Sequence, residues 1–197
     1  MRDIVQFKTK GHHSPQHSTM SVTITLDLGI LLEVTSKCKQ DYATWTFFNV
    51  KDSKLSVHFD TLANDYFRLL LVDMNTMLSL SKNIKITFWQ VFNRLERGKY
   101  GRNKITVADI IRWRELLLTS YQTIEKIKLL RDRKVYYVND EETCQVFISR
   151  GEIEELLAKM EVIVLDICRI LEYPITSIPT VEERANHTIE DAFKRIV

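Results

Sequence analysis

Between Leu130 and Asp140 the chain reads LRDRKVYYVND, a run of cations followed by paired tyrosines at the end of a helical pattern. A guanidinium such as that of Arg131 can grip a phosphate through two parallel hydrogen bonds, and Tyr136 or Tyr137 offers a ring on which a base can stack. Counted at 100° per residue along one continuous helix, Arg131 falls 18 residues and five turns after Trp113, on the same face. That spacing turns Arg131 inward or into a groove, where its charge needs a carboxylate, a carbonyl or a bound anion. The competing reading is purely structural: Arg131 pairs with an acid of the next helix, and Arg133 stacks on Tyr137 one turn on.

Charge is segregated along the chain despite a net of only +2. From Lys82 to Lys134 there are 14 Lys or Arg and 5 Asp or Glu, a net of +9; from Asn139 to Val197 there are 6 and 13, a net of −7. A basic side attracts polyanions. The stretch KITFWQVFNRLERGKYGRNK interleaves Trp89, Phe92 and Tyr100 with cations, as single-strand binders do. The same pattern arises when those aromatics pack inward and the cations only solubilise a loop. Lys99, Arg102 and Lys104 of this stretch, with Arg133, Lys134, Tyr136 and Asn139, form the candidate RNA-binding set.

Other chemistries find little support. Gly-rich phosphate loops, HExxH and GxSxG are absent, and no helix pair carries the Glu-x-x-His of a di-iron bundle. Glu183 and His187 stand four apart, a single pair that reads as a solvent-facing contact. His12, His13 and His17 belong to a polar segment without period, so neither a metal nor another cofactor is expected. The odd, widely spaced Cys38, Cys144 and Cys168 suggest no disulfide framework or zinc site, which fits a reducing cytoplasm. No apolar run reaches the roughly 20 residues of a membrane span.

The elements that must position these residues are helical. Five glycines and three prolines in 197 residues leave few tight turns, favouring a single all-α domain, an antiparallel bundle of five to six helices. Residues 1–24 are expected to be a flexible arm and 25–197 the bundle. Leu28, Leu31, Leu32, Cys38, Tyr42, Trp45 and Phe48 share one face of a helix from Thr25 to near Val50. Phe59, Leu62, Tyr66, Leu69, Leu70, Met74, Met77 and Leu80 mark a second, and a short one spans about 86–97. Thr106 and Asp109 form a capping box opening a long helix that turns Ile110, Trp113, Leu117, Tyr121 and Ile124 inward and runs to Arg131. Ser149 and Glu152 open another, with Ile153, Leu156, Leu157, Met160, Val164, Ile167 and Leu171 on its face. Thr180 and Glu183 cap a last, charged helix.

At RDRKVYYVND, lying at the end of a long helix and followed by a loop and a further bundle helix, the chain resembles the HEPN superfamily, in particular its branch associated with abortive phage infection. The resemblance implies an all-helical bundle that dimerises to join two copies of an Arg-x(4 to 6)-His motif into a metal-independent ribonuclease site. Arg131 then matches the family arginine, Asp132 the polar residue after it, and Tyr137 the place of the histidine. No histidine lies between Gly101 and Asn186. A tyrosine, with its ordinary pKa near 10, is a poor acid or base for cleavage through a ribose hydroxyl. The resemblance therefore implies RNA binding with ribonuclease activity weakened or lost, in phage defence or a toxin pair, with a homodimer and a nucleotidyltransferase-type or antitoxin partner. Without it, the residues equally allow a helical interaction or regulatory protein that binds no nucleic acid.

Overall fold

The computed structural model describes residues 16–49, 56–81, 83–84, 86–101, 103–132, 146–174 and 178. Among them six helices and no strand occur: α1 (Gln16–Phe48), α2 (Ser56–Leu78), α3 (Phe88–Glu96), α4 (Val107–Leu118), α5 (Tyr121–Arg131) and α6 (Arg150–Ile170). None is long and apolar enough to cross a membrane. Arg102, Arg133, Lys134, Tyr136, Tyr137, Asn139, Cys144 and the expected helix after Thr180 lie outside the described residues.

The protein is an all-α bundle, and α1 pairs antiparallel with both α2 and α6. Lys37 meets Asp73 while Trp45 meets Phe67, so α1 and α2 run in opposite directions. Lys39 reaches Glu161 and Tyr42 reaches Glu154, which reverses α6 against α1 as well. α1 lies between α2 and α6; α2 also carries α5, and α4 bridges α3 and α6. This central place explains why α1 is buried around more of its girth than one stripe would be. Leu28, Leu31, Cys38 and Tyr42 enter the core as expected, but Asp27, Thr35, Lys39, Asp41 and Thr44 are buried too. The helix begins at Gln16, nine residues before the expected Thr25, so 16–24 belong to α1 rather than to an arm.

In α2 the packed face is rotated from the expected one. Ala63, Phe67, Leu70, Leu71, Met74, Met77 and Leu78 are buried, whereas Leu62, Leu69 and Leu80 are exposed. A leucine-rich helix offers two overlapping stripes at helical spacing, and only tertiary packing chooses between them. α6 buries Ile153, Leu156, Leu157, Met160, Val164 and Ile167 as its period requires. Both internal capping boxes form: Thr106 accepts from Asp109 N–H at 3.2 Å and Ser149 from Glu152 N–H at 3.2 Å.

The long helix expected from Thr106 to Arg131 is instead two. It breaks at Thr119–Ser120, where Ser120 leaves helical geometry at φ −106° and ψ 21°. Neither residue is a glycine or proline. The break is held from across the bundle, because Lys159 of α6 donates its ammonium to both hydroxyls, at 2.8 and 2.7 Å. α4 can thus lie on α3 and α6 while α5 turns onto α2. Tyr121, expected inward, is consequently exposed.

Candidate functional site

Arg131 ends α5 just after Leu130, which is buried against the core with Ile127. The five-turn count from Trp113 does not place it, because the break at Thr119–Ser120 resets the helical register. Its position follows from α5 alone. The side chain is 26% exposed, and the carboxylate beside it is that of Asp132, its own neighbour, rather than an acid of the following helix. Nε donates to Asp132 Oδ1 at 2.8 Å, and Nη2 donates to the same oxygen. Asp132 is itself 40% exposed, so an incoming phosphate can compete with it from solvent.

Leu130, which precedes this pair in the chain, lines a groove of about 760 Å³ with Trp45, Phe67, Phe147 and Arg150 among others. Trp45 and Phe67 stack with ring centroids 4.7 Å apart and planes inclined by 30°. Arg150 sets its guanidinium 5.6 Å from the Trp45 ring centroid, a cation–π arrangement at the first turn of α6. Phe147 is 83% exposed, an unusual degree for so large an apolar ring. Three helices and the segment entering α6 therefore meet where the Trp45–Phe67 stack, Arg150 and the Asp60 carboxylate line one groove, with Arg131 following its lining residue Leu130 in the chain. Stacking platforms and guanidinium groups in such company can hold bases and phosphates.

Trp45 was legible only as part of the α1 stripe, and nothing local in the sequence pairs it with Phe67 or Arg150. The cations of the α3–α4 loop are not part of this place. Lys104 pairs with Glu172, just beyond the end of α6, at 2.5 Å, whereas Lys126 of α5 pairs with Glu152 in the first turn of α6, also at 2.5 Å. At 1.5 Å per residue the 20 residues between those carboxylates span about 30 Å. Lys99 and Lys104 thus stand at one end of the bundle and Arg131 at the other. Gly98 and Gly101, at φ 64° and 72°, make the turns on either side of the exposed Lys99.

Two further expectations resolve in favour of packing. Phe92 and Tyr100 are buried, and Trp89 tucks its Nε1–H onto the Leu78 carbonyl at 2.8 Å, so these rings are structural. Part of the segregated charge is also met within the chain: Lys104, Arg112 and Lys126 end on Glu172, Asp166 and Glu152 of the acidic segment. Among the described residues of the α3–α4 loop, Arg97 and Lys99 have no ion pair.

No family model matches the chain, and neither the curated proteins nor the solved structures contain a match to it.

Proposed function

We propose that this protein is a HEPN-like RNA-binding bundle that works at the α5–α6 end, with metal-independent cleavage weakened or lost. One observation carries the reading: among the described residues the half-buried Arg131 guanidinium is tied to the exposed carboxylate next to it, and Leu130 before it lines a groove that holds the Trp45–Phe67 stack. In this reading a backbone phosphate displaces Asp132 from Arg131, and a base lies against the Trp45 side of the groove, steadied by Arg150. Tyr137 takes the place of the family's histidine, and its high ordinary pKa leaves the proton transfers of cleavage without a partner near neutral pH. A homodimer, and an antitoxin or nucleotidyltransferase-type partner acting in cytoplasmic phage defence, complete the proposal.

The test is retention of single-stranded RNA by the full chain in chelator, over a series of salt concentrations, beside Arg131→Ala. Expected are binding that weakens linearly in log salt, roughly tenfold or greater loss in the variant, and RNA that stays intact. Equal retention by wild type and Arg131→Ala would place any RNA site elsewhere.

A second reading is favoured by the Lys104–Glu172, Arg112–Asp166 and Lys126–Glu152 pairs, through which three of the fourteen cations of the basic segment are met by the acidic one. It makes the chain a regulatory or interaction module that binds no nucleic acid. Failure to retain RNA at any salt concentration, with retention of a protein partner, selects it.

A further inference from the structure

The most extensive helix pairing in the bundle is that of α1 with α2, and α1 places a carboxylate inside it. Asp41 is 5% exposed, and its Oδ2 has no hydrogen-bond partner. A buried carboxylate oxygen of this kind is costly when charged and far less so when protonated.

The surroundings relieve only part of that cost. Lys37, one turn earlier on α1, is the cation that acts on Asp41, but its ammonium is already on Asp73 Oδ2 at 2.5 Å. Asp73, from α2, adds a like charge. On the flank where α6 packs, Glu154 and Glu161 face α1 but take the Tyr42 hydroxyl and the Lys39 ammonium. From α3, Arg94 reaches α1 at Asp27, far along the helix. Cys38 lies in the same turn as Lys37 and is held as a thiol by burial.

We propose that Asp41 is a pH-sensitive latch on the α1–α2 seam: its neutral carboxyl seals the seam, and its ionisation loosens it. Burial raises its pKa from 3.8 to about 6; Lys37 opposes the rise and the like charge of Asp73 adds a smaller push upward. The folded value lies above the unfolded one, so the stability contributed by the neutral form is complete below about pH 4. It is lost as pH rises through about 6. Asp41 stands one turn before Trp45, whose ring stacks on Phe67 of α2, so a loosened seam acts directly on the groove. This inference does not depend on what the groove binds.

Two measurements on the full chain test it. A carbon-13 NMR titration of the Asp41 side-chain carboxyl should show a midpoint near pH 6, a roughly 100-fold weaker acid than an ordinary aspartic acid. Thermal melts of wild type and Asp41→Asn between pH 4.5 and 7.5 should diverge, with the variant about 5 °C higher at pH 7.5 and the gap closing toward pH 4.5. A carboxyl midpoint near 4 overturns the latch, as do melting curves that stay parallel across the range. Should Asp41→Asn not fold, the NMR midpoint decides alone.

Discussion

The indole Nε1–H of Trp113 donates to Asp166 Oδ2 at 2.8 Å, joining α4 to α6 through the largest fully buried side chain of the core. Asp166 also receives Arg112 and Arg169, but those guanidinium groups are 57% and 75% exposed and add little. The energy of this carboxylate resides in the indole. Asp166→Ala leaves a buried N–H without an acceptor and should lower stability by about 2 kcal/mol, whereas Asp166→Asn, which keeps an oxygen there, should cost less than half of that. In a Trp113→Phe background the Asp166→Ala cost should shrink, because the orphaned donor is gone. Urea unfolding of the four variants measures each term.

Glu152 serves two partners at the first turn of α6. It accepts from the Ser149 N–H at 2.7 Å and from Lys126 Nζ at 2.5 Å. The Lys126 hydrogen bond, then the Ser149 N–H, lowers its pKa from 4.5 to about 2. The folded value lies below the unfolded one, so this stability is present above about pH 4.5 and disappears as pH falls toward 2. Glu152→Gln keeps a capping oxygen but loses the titration, so its stability should decline less steeply than wild type over that window. Ser149→Ala should instead cost about 1 kcal/mol at neutral pH. Denaturant midpoints from pH 2 to 7 separate the two effects.

Asp27 ties α1 to the segment after α3. It is 3% exposed and accepts from both the Arg94 guanidinium and the Tyr100 hydroxyl. Burial, then the hydrogen bond to Asp27, pushes the Tyr100 phenol well above its ordinary range. Removing the carboxylate by Asp27→Ala should cost about 2 kcal/mol, since the partly exposed Arg94 guanidinium and the buried Tyr100 hydroxyl lose their acceptor together. Tyr100→Phe should cost about 1 kcal/mol. Limited proteolysis supplies the readout: Asp27→Ala should cleave faster within residues 97–101 than either wild type or Tyr100→Phe.

The extent to which the sequence announces this structure differs by element. α6 is legible in full, since its cap and its apolar period agree and it buries one broad face. α2 announces its existence but not its rotation, because Leu62 and Leu69 satisfy helical spacing as well as Phe67 and Leu71 do. α1 is under-read at its start, where a polar N-terminal stretch carries no period and gives no reason to extend the helix to Gln16. The break at Thr119–Ser120 has no local signal, for the ammonium that holds it belongs to Lys159, some 40 residues away. The candidate site inherits that error. The expected orientation of Arg131 rested on a register that the break cancels. Asp132 emerges as its partner from adjacency alone, while Trp45, Phe67 and Arg150 meet only through tertiary packing. The basic loop misleads for a related reason: linear charge segregation records which segments attract one another within the fold as readily as what they attract from outside.

A single amine on α6 bridges the two hydroxyls at the joint between α4 and α5. Were Thr119 and Ser120 to straighten, one rod of 25 residues would be about 37 Å long and, fixed on α3 and α6 by Trp113, would carry Leu130 off α2. The elbow lets one continuous stretch of sequence grip two sides of the molecule, and it leaves the tilt of Arg131 to be tuned without disturbing the anchorage of Trp113.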